Sequence, residues 1–236
     1  NSLSVGAGDT INLTVAQAYE IGPENITGAD ATARLQLSDL GEEPFNLDDF
    51  GIDTIVVDTI EVIDQPVVTL HPDTNLTDVT TLRVNEGTTL NLTAAQFQQL
   101  NAAGAIEGVG SPATTDFTVN ITDLTQADVA ESGLDLTGIT ADNVTLTLAE
   151  SVELSSDSEL SIGGNLTVNI GDDLTLILSD IADADGVSFV GGSESTLQFT
   201  DADHSLFDGI DASGFDISYL RVLTALISSK QTFWMW

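Results

Sequence analysis

Apolar and polar residues alternate over short stretches along most of the chain. The segments "TINLTV" and "TTLNLT" place an aliphatic residue at every second position, with asparagine or threonine between. This period of two is typical of β-strands that bury one face. We therefore predict a strand in each segment, with the aliphatic side chains inward and the polar ones outward. The inward set is Ile11, Leu13, Leu90 and Leu92, and the outward set is Asn12, Thr14, Asn91 and Thr93.

The two strands belong to an internal repeat. "GDTINLTVAQ" begins at Gly8, and "GTTLNLTAAQ" begins 79 residues later at Gly87 and matches it at seven of ten positions. Further matched segments, "ARLQLSDL" with "FTVNITDL" and "FGIDTIVVDTIEV" with "SGLDLTGITADNVTLTL", follow in the same order. The repeat predicts two modules, residues 1–80 and 81–150, each built as strand, short helix, strand, helix or turn, strand.

Two helices are predicted in the second module. Residues 93–104, "TAAQFQQLNAAG", place Ala94, Phe97 and Leu100 at helical spacing and end in a glycine stop signal. Residues 125–133, "TQADVAESG", begin with a threonine cap, carry an aspartate three positions later and also end in glycine. We expect both helices to run as far as their glycines.

Helical patterns disappear after Asn143, where short strands follow one another between Ser, Asp and Gly turns. Aliphatic residues at alternate positions with few aromatics fit a parallel β-solenoid, and residues 151–216 are predicted as its rungs. A β-sandwich gives strands at the same spacing. The fold class is therefore mainly β and repetitive, a parallel β-solenoid with short helices in its N-terminal repeats, or alternatively tandem β-sandwich domains. The inward positions are Leu146, Leu148, Val152, Leu154, Leu160, Ile162, Leu166, Val168, Ile170, Leu174, Leu176 and Leu178.

The last segment, residues 217–236, differs from the rest of the chain. Leu220, Leu223, Leu226 and Ile227 are spaced as an apolar helical stripe, and both tryptophans lie in the last three residues. Because a solenoid must shield its last rung, we predict a capping segment. One alternative is a docking segment, since exposed aromatics cluster at interfaces, and another is a fragment end that is not native.

The excess of acidic residues disfavours some classes of binding partner, namely those that are themselves negatively charged. The chain has 38 acidic against 4 basic residues, a formal net charge of −34. Such a surface repels phosphate backbones and anionic lipids, so nucleic acid is not expected as a partner. Mutual repulsion also destabilises the compact state unless cations screen it, which indicates calcium or a saline environment.

The composition and the apolar runs of the chain exclude cysteine chemistry and a membrane-spanning segment. The chain has no cysteine, which removes disulfides, thiolate metal sites and cysteine nucleophiles. No apolar run reaches the roughly 18 residues that span a bilayer, so no membrane span is predicted. The N-terminal Asn1 and the lack of a basic, apolar leader lead us to expect a processed chain or a fragment.

Pairs of aspartates in turns are candidate calcium ligands. Calcium takes six to eight oxygen ligands, and two nearby carboxylates with backbone carbonyls begin such a set. Solvated acidic loops in an acidic protein are the alternative interpretation. The candidates are Asp172 and Asp173, Asp183 and Asp185, and Asp201 and Asp203.

Asn-x-Thr sequons are more frequent than the composition predicts. They are compatible with glycosylation of an extracellular surface. We favour a second explanation, in which they follow from strands that place Asn and Thr outward around an inward aliphatic residue. The seven sites are Asn12, Asn25, Asn75, Asn91, Asn120, Asn143 and Asn165.

No residue pattern predicts an enzyme. No spacing singles out a catalytic pair among the 38 acidic residues. A Ser-His-Asp arrangement would have to use His71 or His204, and a lone surface histidine is far more common than a general base. A β-helix polysaccharide lyase would need a basic residue near its carboxylates, and the chain has only four.

The repeats resemble those of very large secreted bacterial surface proteins, namely surface-layer proteins and RTX-type adhesins. The similar segments are "LTVAQAYEI", "LTAAQFQQLNAAG" and "GIDASGFD", the last with the "DASG" turn of such solenoids. The calcium-binding nonapeptide is absent, because "GGNLTVNIG" and "GGSESTLQF" keep the paired glycines but lack the third glycine and the aspartate. The resemblance therefore does not extend to calcium bound by regular RTX rungs.

The resemblance implies a location and a role. We expect a non-enzymatic, extracellular structural protein, a self-assembling component of a cell-surface layer, fibre or adhesin that is stabilised by cations. Its partners would be copies of itself, in a homo-oligomer, sheet or filament, and cell-surface polysaccharide. A carbohydrate- or host-binding adhesin module or a phage-fibre module is the alternative.

Overall fold

The chain is mainly β in the residues that a computed structural model describes. Those residues are 2–28, 33–39, 59–62, 67–77, 79, 81–100, 106–109, 113, 115–130, 132–179, 186–200 and 221–222. The helices are α1 (Val15–Ile21), α2 (Ala94–Gln99) and α3 (Gln126–Val129), with a 3-10 turn at Pro23–Asn25. The strands are β1 (Leu3–Val5), β2 (Thr10–Thr14), β3 (Ile26–Gly28), β4 (Arg34–Ser38), β5 (Thr59–Val62), β6 (Val67–Thr69), β7 (Thr81–Val84), β8 (Thr89–Thr93), β9 (Ile106–Gly108), β10 (Thr118–Leu124), β11 (Asn143–Leu148), β12 (Val152–Leu154), β13 (Asn165–Ile170), β14 (Thr175–Leu178), β15 (Val187–Gly191), β16 (Thr196–Phe199) and β17 (Arg221–Val222).

Every strand pairing in the described part of the chain is parallel. The largest sheet has six strands in the order β15-β13-β11-β10-β8-β6, and a second has four in the order β12-β14-β16-β17. A three-stranded sheet, β5-β7-β9, and the pairs β1-β3 and β2-β4 complete the set. Because parallel neighbours need a crossover, the chain leaves each sheet and returns to it one strand further along.

The crossovers become regular after β10. Three successive chain passages, β11-β12, β13-β14 and β15-β16, each place one strand in the six-stranded sheet and the next in the four-stranded sheet. The register keeps equivalent residues side by side, so that Val144 lies opposite Leu166 and Leu166 lies opposite Val187. The predicted succession of short strands after Asn143 is therefore confirmed, and the described pairs show parallel order.

The inward faces of the sheets form one continuous hydrophobic core from Val5 to Phe199. Ten of the twelve predicted inward positions between Leu146 and Leu178 are buried, while Ile162 and Leu174 are partly buried against the same core. Leu90 and Leu92 are buried as predicted. In the first repeat the equivalent Ile11 and Leu13 are only partly buried.

The order of elements repeats between the two copies, and each copy contains two short strands that the sequence pattern did not predict. The series β1-β2-α1-β3-β4 has the same order as β7-β8-α2-β9-β10. In each copy the first strand pairs with the third, and the second pairs with the fourth. Asp39 and Asp123, which follow β4 and close β10 at matched positions, both have left-handed backbone, with φ of 57° and 60°. The limits of the modules at residues 80 and 150 stay a prediction.

The shared "T-x-x-Q" of the repeat starts a helix in each copy. Thr93 Oγ1 accepts a hydrogen bond from Gln96 N at 3.1 Å, and Gln96 Oε1 accepts one from Thr93 N at 3.0 Å. Thr14 and Gln17 form the same reciprocal pair at 3.0 and 2.9 Å. Each pair satisfies two backbone donors that a helix start leaves open.

Both predicted helices of the second module end earlier than expected. α2 stops at Gln99, because the next residue, Leu100, turns to extended backbone and is buried in the core. The predicted stop at Gly104 lies outside the described residues. α3 begins after Thr125 as predicted but ends at Val129, and Gly133 lies beyond it with φ of +69°.

Helix α3 lies at the edge of strand β12, in the position that a neighbouring strand of the four-stranded sheet would occupy. The Gln126 side chain of α3 lies against the edge of β12, where its Oε1 accepts from Glu153 N at 2.7 Å and its Nε2 donates to Glu153 O at 3.3 Å. One amide side chain thus takes the place of a neighbouring strand for this part of β12. The four-stranded sheet can therefore begin where the helices end.

The last predicted segment is described only at β17. Arg221 and Val222 pair in parallel with Gln198 and Phe199 of β16, so these two residues extend a sheet and the predicted helical stripe does not run through them. Leu220, Leu223, Leu226 and Ile227 lie outside the described residues. Among the described residues, no helix is long and apolar enough to cross a bilayer.

Candidate interaction surface

The outward face of the six-stranded sheet carries small, uncharged side chains. We call sixteen outward residues of its strands the neutral face, which does not include the exposed Asp123 at the register shift of β10. Eight are threonines, five are asparagines, one is serine and two are valines. They are Val67 and Thr69 of β6; Thr89, Asn91 and Thr93 of β8; Thr118, Asn120 and Thr122 of β10; Asn143, Thr145 and Thr147 of β11; Thr167, Asn165 and Asn169 of β13; and Ser188 and Val190 of β15.

Strand register arranges these residues in rows, one of which is interrupted where the register of β10 and β11 shifts between Ile121 and Leu124. The middle row crosses all six strands and consists of Thr69, Asn91, Asn120, Thr145, Thr167 and Ser188. Neighbouring parallel strands lie about 4.8 Å apart, and outward residues of one strand follow each other at about 6.6 Å. The face is therefore a two-dimensional grid of hydroxyl and amide groups.

Side-chain hydrogen bonds along the rows fix several of the amides. Asn120 Nδ2 donates to Asn91 Oδ1 at 2.7 Å, and Asn91 Nδ2 donates to Thr69 Oγ1 at 2.9 Å. In the adjacent row Asn165 Nδ2 donates to Asn143 Oδ1 at 3.3 Å. Because each bond joins neighbouring strands, these amides hold fixed orientations and the face is preorganised.

Acidic residues border this face, and one of them, Asp123, lies within β10 near its end. Asp116 and Asp142 are exposed just before β10 and β11, Asp123 is exposed near the end of β10, and Glu150 and Asp172 are exposed beyond the ends of β11 and β13. The neutral face thus lies between two acidic rims in a chain of net charge −34. Its neutrality distinguishes it from the outward row of the three-stranded sheet, where Arg83 Nε bonds Glu107 Oε1 at 2.9 Å.

No family model, curated sequence or solved structure matches this chain.

The candidate calcium ligands that the structure describes serve the turn between β13 and β14. Asp172 Oδ1 accepts a hydrogen bond from Ser193 N at 2.7 Å, and Asp173 N donates to Ser193 O at 2.9 Å. These contacts join this turn to the equivalent turn of the next chain passage. Within the described ranges no group of three or more His, Asp or Glu residues is placed to hold a metal ion. Asp183, Asp185, Asp201 and Asp203 lie outside those ranges.

Most of the predicted glycosylation sites lie on outward strand positions. Four of the seven sequons are on the neutral face and Asn12 is exposed on β2. Asn25 instead follows α1, where its amide donates to Ile21 O at 3.2 Å, and Asn75 Oδ1 accepts from Thr77 N at 3.0 Å. This placement favours the explanation that the sequons follow from strand structure, and glycosylation itself stays a prediction.

The histidine within the described residues is part of a turn. His71 Nδ1 accepts a hydrogen bond from Asp73 N at 3.2 Å and lies 3.8 Å from Asp73 Oδ2. The backbone contact gives this ring a local structural role. His204 lies outside the described residues.

Sequence reasoning predicted which residues face outward but not the surface they form together. Each strand alone has two or three outward residues, which is ordinary for a strand with one exposed face. Only the register, which aligns Asn91 with Asn120 and Thr145 with Thr167, turns them into rows. The signal in the sequence was the absence of charge at these positions in a strongly acidic chain.

Proposed function

We propose that the protein is a non-enzymatic, extracellular structural protein, a self-assembling component of a cell-surface layer, fibre or adhesin. The observation that carries the proposal is the neutral face: a preorganised grid of uncharged groups in a chain of net charge −34. A regular flat face of this kind suits contact with another extended, regular surface.

We further propose that the parallel strands belong to a β-solenoid. The regular passages β11-β12, β13-β14 and β15-β16, each adding one strand to two sheets, support this architecture. A β-sandwich is built from antiparallel sheets, whereas the described pairs are parallel. Stacked passages would make a stiff rod with its lateral surfaces at fixed positions.

In the proposed assembly, cations screen the repulsion between the acidic residues of neighbouring copies. The acidic rims beside the neutral face would repel those of a neighbouring copy, and divalent ions or bulk salt would screen that repulsion. An extracellular, calcium-containing or saline medium supplies such ions. The proposal needs no tight calcium site, because screening acts on the summed charge.

The second candidate is a carbohydrate- or host-binding adhesin or phage-fibre module. It is favoured by the same hydroxyl and amide groups, since they match the hydrogen-bonding groups of neutral sugars. Aromatic platforms on which sugar rings stack are missing from the neutral face, where all sixteen residues are Thr, Asn, Ser or Val. Self-assembly is therefore the better supported of the two.

Electron microscopy with and without a chelator tests the proposed function. We expect the purified chain to form ordered sheets or filaments in calcium-containing saline, and these should dissolve when EDTA removes divalent ions at low ionic strength. A chain that stays monomeric under all these conditions, is indifferent to EDTA and binds a glycan array would contradict the proposal and support the adhesin module.

A further inference from the structure

We infer that two copies of this chain meet face to face through the neutral face. The inference rests on the proposed self-assembly and assigns it a surface. It concerns the sixteen residues of the six-stranded sheet and no other part of the described structure.

Electrostatics limits where two copies can approach each other. The chain carries 38 acidic and only 4 basic residues, so most lateral approaches bring carboxylates together. Opposed carboxylates in a closed interface are desolvated and unpaired, which is strongly unfavourable. The sixteen positions of the neutral face hold no charged side chain. Asp123 of β10 and the acidic rims lie beside them, so that salt is needed to screen these carboxylates from those of the second copy.

The geometry of the face makes it complementary to itself. Two copies have the same strand spacing and the same row spacing, so every row of one can align with a row of the other. Threonine offers a donor, an acceptor and a methyl group, and asparagine offers both donors and acceptors. A twofold arrangement can therefore pair hydrogen-bonding groups while it buries the threonine methyls together with Val67 and Val190, which are 58% and 42% exposed.

The size of the face predicts a weak contact. Sixteen grid positions of about 4.8 by 6.6 Å cover roughly 500 Å² on each copy. A pair would bury about 1,000 Å² in total, at the lower limit of specific protein interfaces. The contact should thus form at high protein concentration or where many copies are held together, as in a layer or fibre.

Site-specific blocking of the face tests this inference in the folded, full-length chain. Because the chain has no cysteine, Thr145→Cys introduces a unique thiol at the centre of the face, and Ser156→Cys introduces one in an exposed turn outside it. After folding is verified by circular dichroism, each variant is labelled with a bulky maleimide–polyethylene glycol. Sedimentation velocity is then measured over a series of protein and sodium chloride concentrations.

We expect the unlabelled chain and the labelled Ser156→Cys variant to associate, more strongly as salt rises. The labelled Thr145→Cys variant should associate at least about tenfold more weakly, because the polymer blocks close approach. Equal association of the two labelled variants would overturn the inference and leave self-assembly standing. A chain that never associates would overturn both. Retention on insoluble cellulose or chitin that only the Thr145 label abolishes would assign the face to carbohydrate instead.

Discussion

Replacing Leu146 with alanine is expected to lower the free energy of unfolding by about 2–5 kcal/mol, the usual range for a buried leucine. Leu146 is fully buried in the middle of β11, where it lies between Ile121 of β10 and Val168 of β13. The neighbouring strands are hydrogen-bonded on both sides and cannot move in to fill the cavity. Urea denaturation followed by circular dichroism measures the loss.

The adjacent residue provides the matched control for this experiment. Thr145 lies on the same strand but faces outward, so Thr145→Ala removes no core contact and should change the free energy of unfolding by less than about 1 kcal/mol. Similar losses for the two variants would mean that β11 does not present one face to the core. The assigned faces of the sheet would then be wrong.

Gly164→Ala is expected to destabilise the protein by about 1–3 kcal/mol or more, as overpacking does. A methyl group at this position would overlap the carbonyl oxygens of Ala141 and Asp142, which belong to the preceding chain passage. A hydrogen bond from Asn165 N to Asp142 O at 2.8 Å holds the two backbone segments close together. The segments therefore cannot move apart without breaking the start of the β11–β13 pair.

Gly163 is the control for this glycine. A methyl group there meets no atom within 4 Å, so Gly163→Ala should be neutral or should stabilise by up to about 1 kcal/mol through the unfolded chain. Thermal and urea denaturation of the two variants in parallel separate crowding from the general effect of glycine replacement. If Gly164→Ala were as harmless as Gly163→Ala, successive passages would not be packed as described.

Local features of this fold could be predicted from sequence because neighbouring residues determine them. The alternation of apolar and polar residues around Leu90 and Leu92 predicted correctly that both are buried. The helix α2 starts where Thr93 and Gln96, three positions apart, cap its first turn. The end of α2 was wrong by five residues, because the core contact of Leu100 ended the helix before the glycine signal. Tertiary packing outweighed local propensity there.

Longer-range features could not be predicted in this way. The partner of Asn91 is Asn120, 29 residues away, and that pairing depends on the length and path of a crossover. Sequence alternation fits parallel and antiparallel strands equally well, so both a solenoid and a sandwich were compatible with it. The neutral face follows from pairing and could be recognised only once the register was known.

The link from structure to proposed function is electrostatic. In a chain of ordinary charge, an uncharged patch of threonine and asparagine would have little meaning. In a chain of net charge −34, such a patch is the surface at which a second copy meets the least electrostatic repulsion. The surface is also one that small substitutions can alter without touching the core, which makes function separable from stability in experiments.

The distance between spin labels at the two ends of the middle row tests the central claim most directly, that parallel strands align this face as one grid. Thr69 and Ser188 are the ends of the row, five strand intervals apart, and the cysteine-free chain allows Thr69→Cys and Ser188→Cys to be labelled together. Double electron–electron resonance should give one narrow distance distribution, consistent with a Cα separation of about 24 Å. A broad distribution, or a distance far from this value, would contradict the account.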